Sequence, residues 1–416
     1  MSQNIKVTKD ELSFKENFET TLEICLAKKN KELKDKTWKE IVDELELNIH
    51  PDTLARTAGN YRDFNRYLQI LKKMDIEDNN YFEDLLNKIS KREIKVKKQE
   101  MLLQDLRSEI NKQTKEQARF EQMYETAKYV ADKLQEIKPY YQYEVFLPDE
   151  NEIVKEGVLL FSDLHFGQET ENYWNNYNPD IFYKRVNFLT QRVIDIAKTH
   201  DIRKLHVMGL GDYINGLIHT TTRLSNREDI GNQVVKVCDA IADMIYEIAS
   251  KLPHCYVTFS MTDDNHSRLF ANKKENTDKD TFVFFMKRII HDRIKEIANA
   301  VFLENKIDSG ITVLNVCNKT IVGVHGDKDS LKTALPDMTA MLDRKIDYMC
   351  IAHYHSAQES EPFGESELIV NGCFGGTDDY AKNLRKHSKP IQKFMIFSKE
   401  YGRECTYNID VRGVKN

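Results

Sequence analysis

The sequence predicts an α/β fold in its carboxyl-terminal part, preceded by an all-α region, and three observations carry that prediction. Glycine is partitioned: residues 1–150 hold only Gly59, and the other fifteen begin at Gly157, as expected for a helical front and a turn-rich back. From Leu85 to Leu134 there is neither Gly nor Pro, and the stretch accepts a heptad register. Beyond Gly157, short apolar runs end five times in clusters of Asp, Asn and His, the placement expected of a site built outside the carboxyl ends of strands.

In the front region, Thr37-Trp38-Lys39-Glu40 has capping-box spacing, and Trp38, Ile41, Val42 and Leu45 follow at i, i+3, i+4, i+7. A short helix therefore starts at Trp38. After a break over Glu46–His50, Pro51 opens a second helix through Leu54, Ala55, Ala58 and Tyr61, with Arg56, Arg62 and Arg66 on its polar side. The pair is helix-turn-helix-like, and the pattern fits equally a DNA reader and a small helical bundle. Heptad positions a (Ile89, Val96, Leu103, Ile110, Gln117, Tyr124, Ala131) and d (Leu85, Arg92, Gln99, Leu106, Gln113, Phe120, Ala127, Leu134) are apolar at eleven of fifteen sites. A seam of that kind needs a helical partner; a second copy forming a homo-oligomer is the simplest one, and an intramolecular hairpin is the other. Between Lys88 and Arg119 there are ten Lys+Arg against five Asp+Glu, which suits either a track along phosphates or a solvated coiled-coil exterior. The expected organisation is a helical helix-turn-helix-like domain over 1–78, a long coiled-coil helix over 79–140, a linker over 141–156 and an α/β domain over 157–416, with Pro139 and Pro148 marking the border between the halves.

Lys+Arg number 61 and Asp+Glu 67, a net charge of −6, so no global basic field points to nucleic acid and only a local stripe would. The seven cysteines stand singly with no CxxC pair, which argues against a zinc ribbon or a disulfide frame and leaves His, Asp and Asn to hold any metal. No apolar run approaches a membrane span and residues 1–6 carry no apolar signal core; the expectation is a cytoplasmic protein without a membrane partner.

The chemistry lies at the strand ends. Gly157–Phe161 runs into Ser162-Asp163-Leu164-His165, where residues two apart point the same way and Asp163 and His165 converge. A helix over Ile181–Lys198 follows, then a strand over Lys204–Met208 ending in Gly209-Leu210-Gly211-Asp212. Cys255–Met261 leads to Asp263-Asp264-Asn265-His266, Thr320–Val324 to His325-Gly326-Asp327, and Tyr348–Ala352 to His353-Tyr354-His355. One such histidine is ordinarily a hydrogen-bonded core residue; five strand ends of one logic make a metal site the better reading.

The ordered set DxH, GD, NH, HG and HxH resembles the calcineurin-like metallophosphoesterases from about Val158 onward. The resemblance implies a sandwich of two mixed sheets with helices outside. It also implies two divalent ions, manganese first and iron or zinc as alternatives: Asp163, His165 and His355 on one, Asn265, His325 and His353 on the other, and Asp212 bridging. In that scheme His266 is the catalytic residue, protonating the leaving oxygen beside a metal-activated water. The protein-phosphatase motifs GDxVDRG and GNHE are absent, and Asp264 and Ala352 stand where the superfamily carries Gly. The segment Asn371–Tyr380 after the HxH motif resembles phage and bacterial metallophosphoesterases grouped with the Mre11/SbcD-type DNA nucleases. A DNA nuclease is therefore the leading expectation, with DNA as partner and an ATPase partner left open. A phosphodiesterase of a small or cyclic nucleotide and a non-catalytic DNA-binding scaffold are the alternatives.

Overall fold

The computed structural model describes residues 36–44, 50–56, 58–59, 79–134, 139–218, 220–270, 272–273, 276–277 and 279–413, with residue 28. The chain divides into two compact units, residues 1–110 and 111–416. In the first, helix α1 (Trp38–Glu44) opens on a capping box: the Glu40 backbone N–H donates to Thr37 Oγ1 at 3.2 Å, and the Thr37 N–H to Glu40 Oε2 at 2.5 Å. Ile41 and Val42 from α1 bury against Leu54 and Ala58 of the helical segment over 51–59, with Trp38 packed beside them. Arg56 is exposed; Leu45, Tyr61, Arg62 and Arg66 lie outside the described residues.

Helix α2 (Asn79–Leu134) is continuous for 56 residues. Its heptad side chains Ile89, Val96, Leu103, Leu106 and Phe120 are 46–61 % exposed. In the second unit its last turns dock instead: Thr126 and Val130 are buried, and Tyr129 Oη donates to Asn232 Oδ1 at 2.7 Å. The chain that follows also lies against this unit: Tyr140, at the end of the range expected as coiled coil, stacks on Tyr246 at 4.4 Å and donates to Asp243, and Tyr143, in the expected linker, donates to Asn299.

The second unit contains β1 (Lys155–Phe161), β2 (Thr170–Asn172), β3 (Asn175–Tyr177), α3 (Pro179–Thr199), β4 (Lys204–Gly209), α4 (Thr220–Leu224), α5 (Ile230–Lys251), β5 (Tyr256–Met261), α6 (Val283–Ile294), β6 (Ala300–Phe302), β7 (Ile311–Val316), β8 (Lys319–Val324), α7 (Ala334–Leu342), β9 (Tyr348–Ile351), β10 (Gln358–Phe363), β11 (Ser366–Val370), α8 (Asp379–Asn383), β12 (Ile391–Ser398) and β13 (Gly402–Asp410). A six-stranded sheet has the order β13-β12-β1-β4-β5-β6, parallel from β1 to β6. A five-stranded sheet has the order β10-β11-β9-β8-β7, with β8, β9 and β11 parallel.

Alternation along the strands makes both sheets two-faced. Val158, Leu160 and Met208 of the first sheet meet Leu314, Val316, Ile321, Cys350 and Ile369 of the second in one buried cluster, so the sheets pack face to face. The other face of the first sheet (Leu159, Phe161, Val207, Phe259) is covered by α3, α5 and α6, and that of the second (Val322, Val324, Met349) by α7. Helix α3 begins at the cap Asn178 and α5 at Asp229, each side chain accepting a hydrogen bond from the backbone three residues on. Because β1, β4 and β5 run parallel, as do β8 and β9, their carboxyl ends gather the loops of each sheet on one edge. No described helix is long and apolar enough to cross a membrane.

Candidate metal centre

Each expected site residue lies in the loop that ends a parallel strand: Asp163 and His165 after β1, Asp212 after β4, Asn265 and His266 after β5, His325 directly after β8, and His353 and His355 after β9. The chain reverses sharply there. Asp163, His165, Asp212, His353 and His355 all have φ between 43° and 63°, in the left-handed region that non-glycine residues seldom occupy. Gly211 (φ 89°) lets β4 pass under His325, since a Cβ there would stand 2.6 Å from His325 Nδ1.

The donor atoms converge in two groups that share Asp212. Asp163, His165, Asp212 and His355 form one; Asp212, His325 and His353 form the other, the donors of each lying within 4.8 Å of one another. His165 Nε2 faces His355 Nε2 at 3.2 Å, and His353 Nδ1 faces His325 Nε2 at 3.2 Å. Asn265 Oδ1 joins the second group, 2.8 Å from His325 Nε2. Asp212 reaches both, its oxygens 3.3 Å from His325 Nε2 and 3.8 Å from His165 Nε2. Ligands around an ion at about 2.1 Å stand roughly 3 Å apart, which is the spacing of these facing nitrogens, and the N/O donor set suits a borderline divalent cation. The residues fit a pair of such ions.

Second contacts aim the ligands. His325 Nδ1 donates to Leu210 O at 2.8 Å, which leaves Nε2 facing the centre. Asp163 Oδ2 accepts from Ser162 Oγ at 2.7 Å, and Asn371 Nδ2 in turn donates to that hydroxyl. Burial alone would raise the Asp212 carboxyl, but the His266 and His325 rings facing it outweigh that and hold it well below the ordinary carboxylate value. Burial alone would depress His325; the Asp212 carboxylate raises it instead, to about 10. His165 falls to about 3, through burial and the charge of His266. Cation binding must displace whatever protons these rings carry.

His266 packs edge-on against His165, ring centroids 4.6 Å apart. Its Nδ1 donates to Asn215 O at 2.8 Å, so Nε2 is the atom presented to the centre, 3.9 Å from Asp212 Oδ2. Asn215 holds the loop: its Nδ2 donates to Thr222 O, Ser225 Oγ and Asn226 Oδ1. Arg268 Nε donates to Asn265 O at 2.9 Å. Asp264 is buried and accepts from the Ser267 backbone N–H at 2.6 Å; burial and the Asp212 charge push it up to about 6.

Sequence reasoning missed one residue of this centre. Cys373 Sγ lies with His165 and His355 in a third donor group, from the segment after β11. A lone cysteine between Gly372 and Phe374 carries no motif, and only its position in the stretch after HxH could have drawn attention to it.

No family model matches the chain. It is similar to the SPbeta prophage-derived protein YonJ of Bacillus subtilis (strain 168), 24 % identical over 402 residues that cover 94 % of this chain and 95 % of the relative. Among solved structures it is similar to zinc-complexed Vps29 from Entamoeba histolytica (14 % identity, 61 % of this chain and 99 % of that one, TM-score 0.27). A Streptococcus pneumoniae protein described as a predicted phosphoesterase gives 8 % identity, 61 % and 97 % coverage and a TM-score of 0.26. GAP50 of Plasmodium gives 10 % identity, 63 % and 86 % coverage and a TM-score of 0.34.

Proposed function

We propose that the protein is a metal-dependent phosphoesterase, and more finely a DNA nuclease that hydrolyses phosphodiester bonds. The observation that carries the reading is the pair of donor groups sharing Asp212 at five strand ends. Asp163, His165 and His355 would hold one ion, Asn265, His325 and His353 the other, with Asp212 between them. Bound there, divalent ions supply Lewis acidity for the phosphoryl oxygens and lower the pKa of water, manganese being the first candidate and iron or zinc the alternatives. His266 presents Nε2 beside Asp212 and, protonated, donates to the leaving oxygen. Its Nδ1–H is fixed on Asn215 O, so the ring delivers that proton without reorienting. The positively charged stretch Lys88–Arg119 of α2 supplies the phosphate contacts a long substrate requires, and the α1 pair is where a duplex would be positioned.

A second reading is favoured by the cleft beside His325. It is lined by Asp263, Asp264, Asp280, Asp308, Asp327 and Asp329 against Arg268, Lys273 and Lys328, a surface that disfavours a run of phosphates more than the single charge of a small nucleotide diester. The deciding experiment is manganese-dependent cleavage of end-labelled single- and double-stranded DNA by the wild-type chain and His266→Ala, with bis-(p-nitrophenyl) phosphate alongside. DNA cleavage lost in the variant supports the nuclease. Turnover of the small diester with DNA intact replaces it with the nucleotide reading, and no turnover of either with metal bound overturns both.

A further inference from the structure

The layer between the two sheets changes character towards β6 and β7. Over β1, β8 and β9 it is filled by Val158, Leu160, Ile321 and Cys350. In register, Met208 pairs with Ser260 and His206 with Thr258, so Thr258 and Ser260 share the inward face that Met208 gives to this core. There the apolar filling stops, and a cleft of about 770 Å³ opens between β5–β6 and the edge strand β7. Protein interiors pack like organic crystals, and an opening of this size is in the range of small-molecule sites.

Four features give the cleft a chemistry. Its floor includes His206 and Thr258, joined to Glu156 behind them in a buried polar chain: Glu156 Oε2 lies 2.9 Å from His206 Nε2, and His206 Nδ1 2.8 Å from Thr258 Oγ1. Next to that chain Ser260, 2 % exposed, has a hydroxyl with no hydrogen-bond partner among the described residues; a buried hydroxyl left so costs free energy until something pairs with it. Lys204, Lys306 and Arg344 line the same cleft, and none of the three forms an ion pair among the described residues, while Glu304 is its one lining carboxylate. Val301 and Ile307, 50 % and 52 % exposed, form an apolar wall.

We propose that this cleft binds a small amphipathic anion, its acidic head held by Lys204, Lys306 and Arg344, its apolar body against Val301 and Ile307, and one polar atom on the Ser260 hydroxyl. None of the metal-centre residues lines it, so the site is separate from the phosphoesterase reading and does not depend on it.

The test uses the full chain and the fluorescent probe 8-anilinonaphthalene-1-sulfonate, an aromatic sulfonate with no bond that a phosphoesterase cleaves. The expected result is a saturable emission increase with one site per chain, weakened at least tenfold in Arg344→Glu and in Ser260→Leu, which fills the floor. Arg344 is exposed, so its variant reports on the site even where Ser260→Leu disturbs the sheet. Leu106→Glu on α2 should leave the saturable component unchanged, which separates it from probe adsorbed on the exposed heptad seam. Competition by octanoate against octylphosphonate identifies the preferred head, carboxylate or phosphonate. An increase that does not saturate, or one that Arg344→Glu and Ser260→Leu leave unchanged while their circular dichroism matches wild type, overturns the proposal.

Discussion

Five candidate ligands hold backbone in the left-handed region, at about 1–3 kcal/mol for each such residue, and no glycine stands at any of these five positions. Five other non-glycine residues with positive φ (Asp201, Cys317, Asn318, Asp343 and Arg385) lie in turns outside the centre, so it is the convergence of the five ligand donors, not the strain alone, that marks the site. Asp212 is the most exacting case, since it touches both donor groups and receives the His266 N–H at 3.3 Å. Asp212→Asn keeps the shape and tolerates the same φ, so it removes charge alone. The expected outcome is loss of both ions, read as metal content of purified protein after desalting. His266→Ala, by contrast, should retain both ions and lose about 10²–10⁴-fold in turnover. Metal loss in the His266 variant would remove it from the catalytic role and make it a ligand.

At the scale of elements, β1 is tied to its neighbours by a buried carboxylate. Glu156 Oε1 accepts the Cys317 N–H at 2.8 Å while Oε2 meets His206, joining the first sheet to the turn between β7 and β8. Burial alone would raise Glu156, but His206 and the Cys317 amide outweigh it, and the carboxyl sits below its ordinary value of 4.5. A carboxylate depressed in the folded state stabilises above the unfolded pKa, and that contribution disappears as pH falls through the folded one. Glu156→Gln should therefore cost about 1–2 kcal/mol at neutral pH, and the gap between variant and wild type should close on acidification below 4.5. Urea midpoints across the acid range measure it, and a gap independent of pH would show that packing, not charge, is what Glu156 contributes.

The strands that carry ligands were legible because each is a short apolar run ended by polar residues. The expected Gly157–Phe161 became Lys155–Phe161, and the expected helix Ile181–Lys198 became Pro179–Thr199, differences of one or two residues at element ends. β10 and β13 gave no such signal, since Gln358–Phe363 and the half-buried β13 are edge strands with polar faces. Cys373 and the β6–β7 cleft were illegible for another reason: both arise from segments distant in sequence that meet only after the sheets pack.

For the whole molecule the open question is what covers α2. Leu103 and Leu106 occupy neighbouring a and d positions and are 56 % and 49 % exposed, as are Ile89 and Val96 at 46 % and 48 %. Exposed apolar side chains in a heptad row cost free energy in water and are covered when a second helix inserts its own row. We propose self-association through this seam, because one chain offers its copy the same register and length. The polar seam residues Arg92, Gln99, Gln113 and Gln117 weaken such a pair without forbidding it, and they favour one register over slipped ones. Sedimentation equilibrium of the full chain should give at least twice the monomer mass. Leu103→Glu with Leu106→Glu should return it to the monomer, because two charges per chain would face each other across a dry seam. Turnover of bis-(p-nitrophenyl) phosphate should persist in that variant, since every candidate ligand comes from residues 163–373 of one chain. A monomeric wild type would instead assign the seam to a different helix.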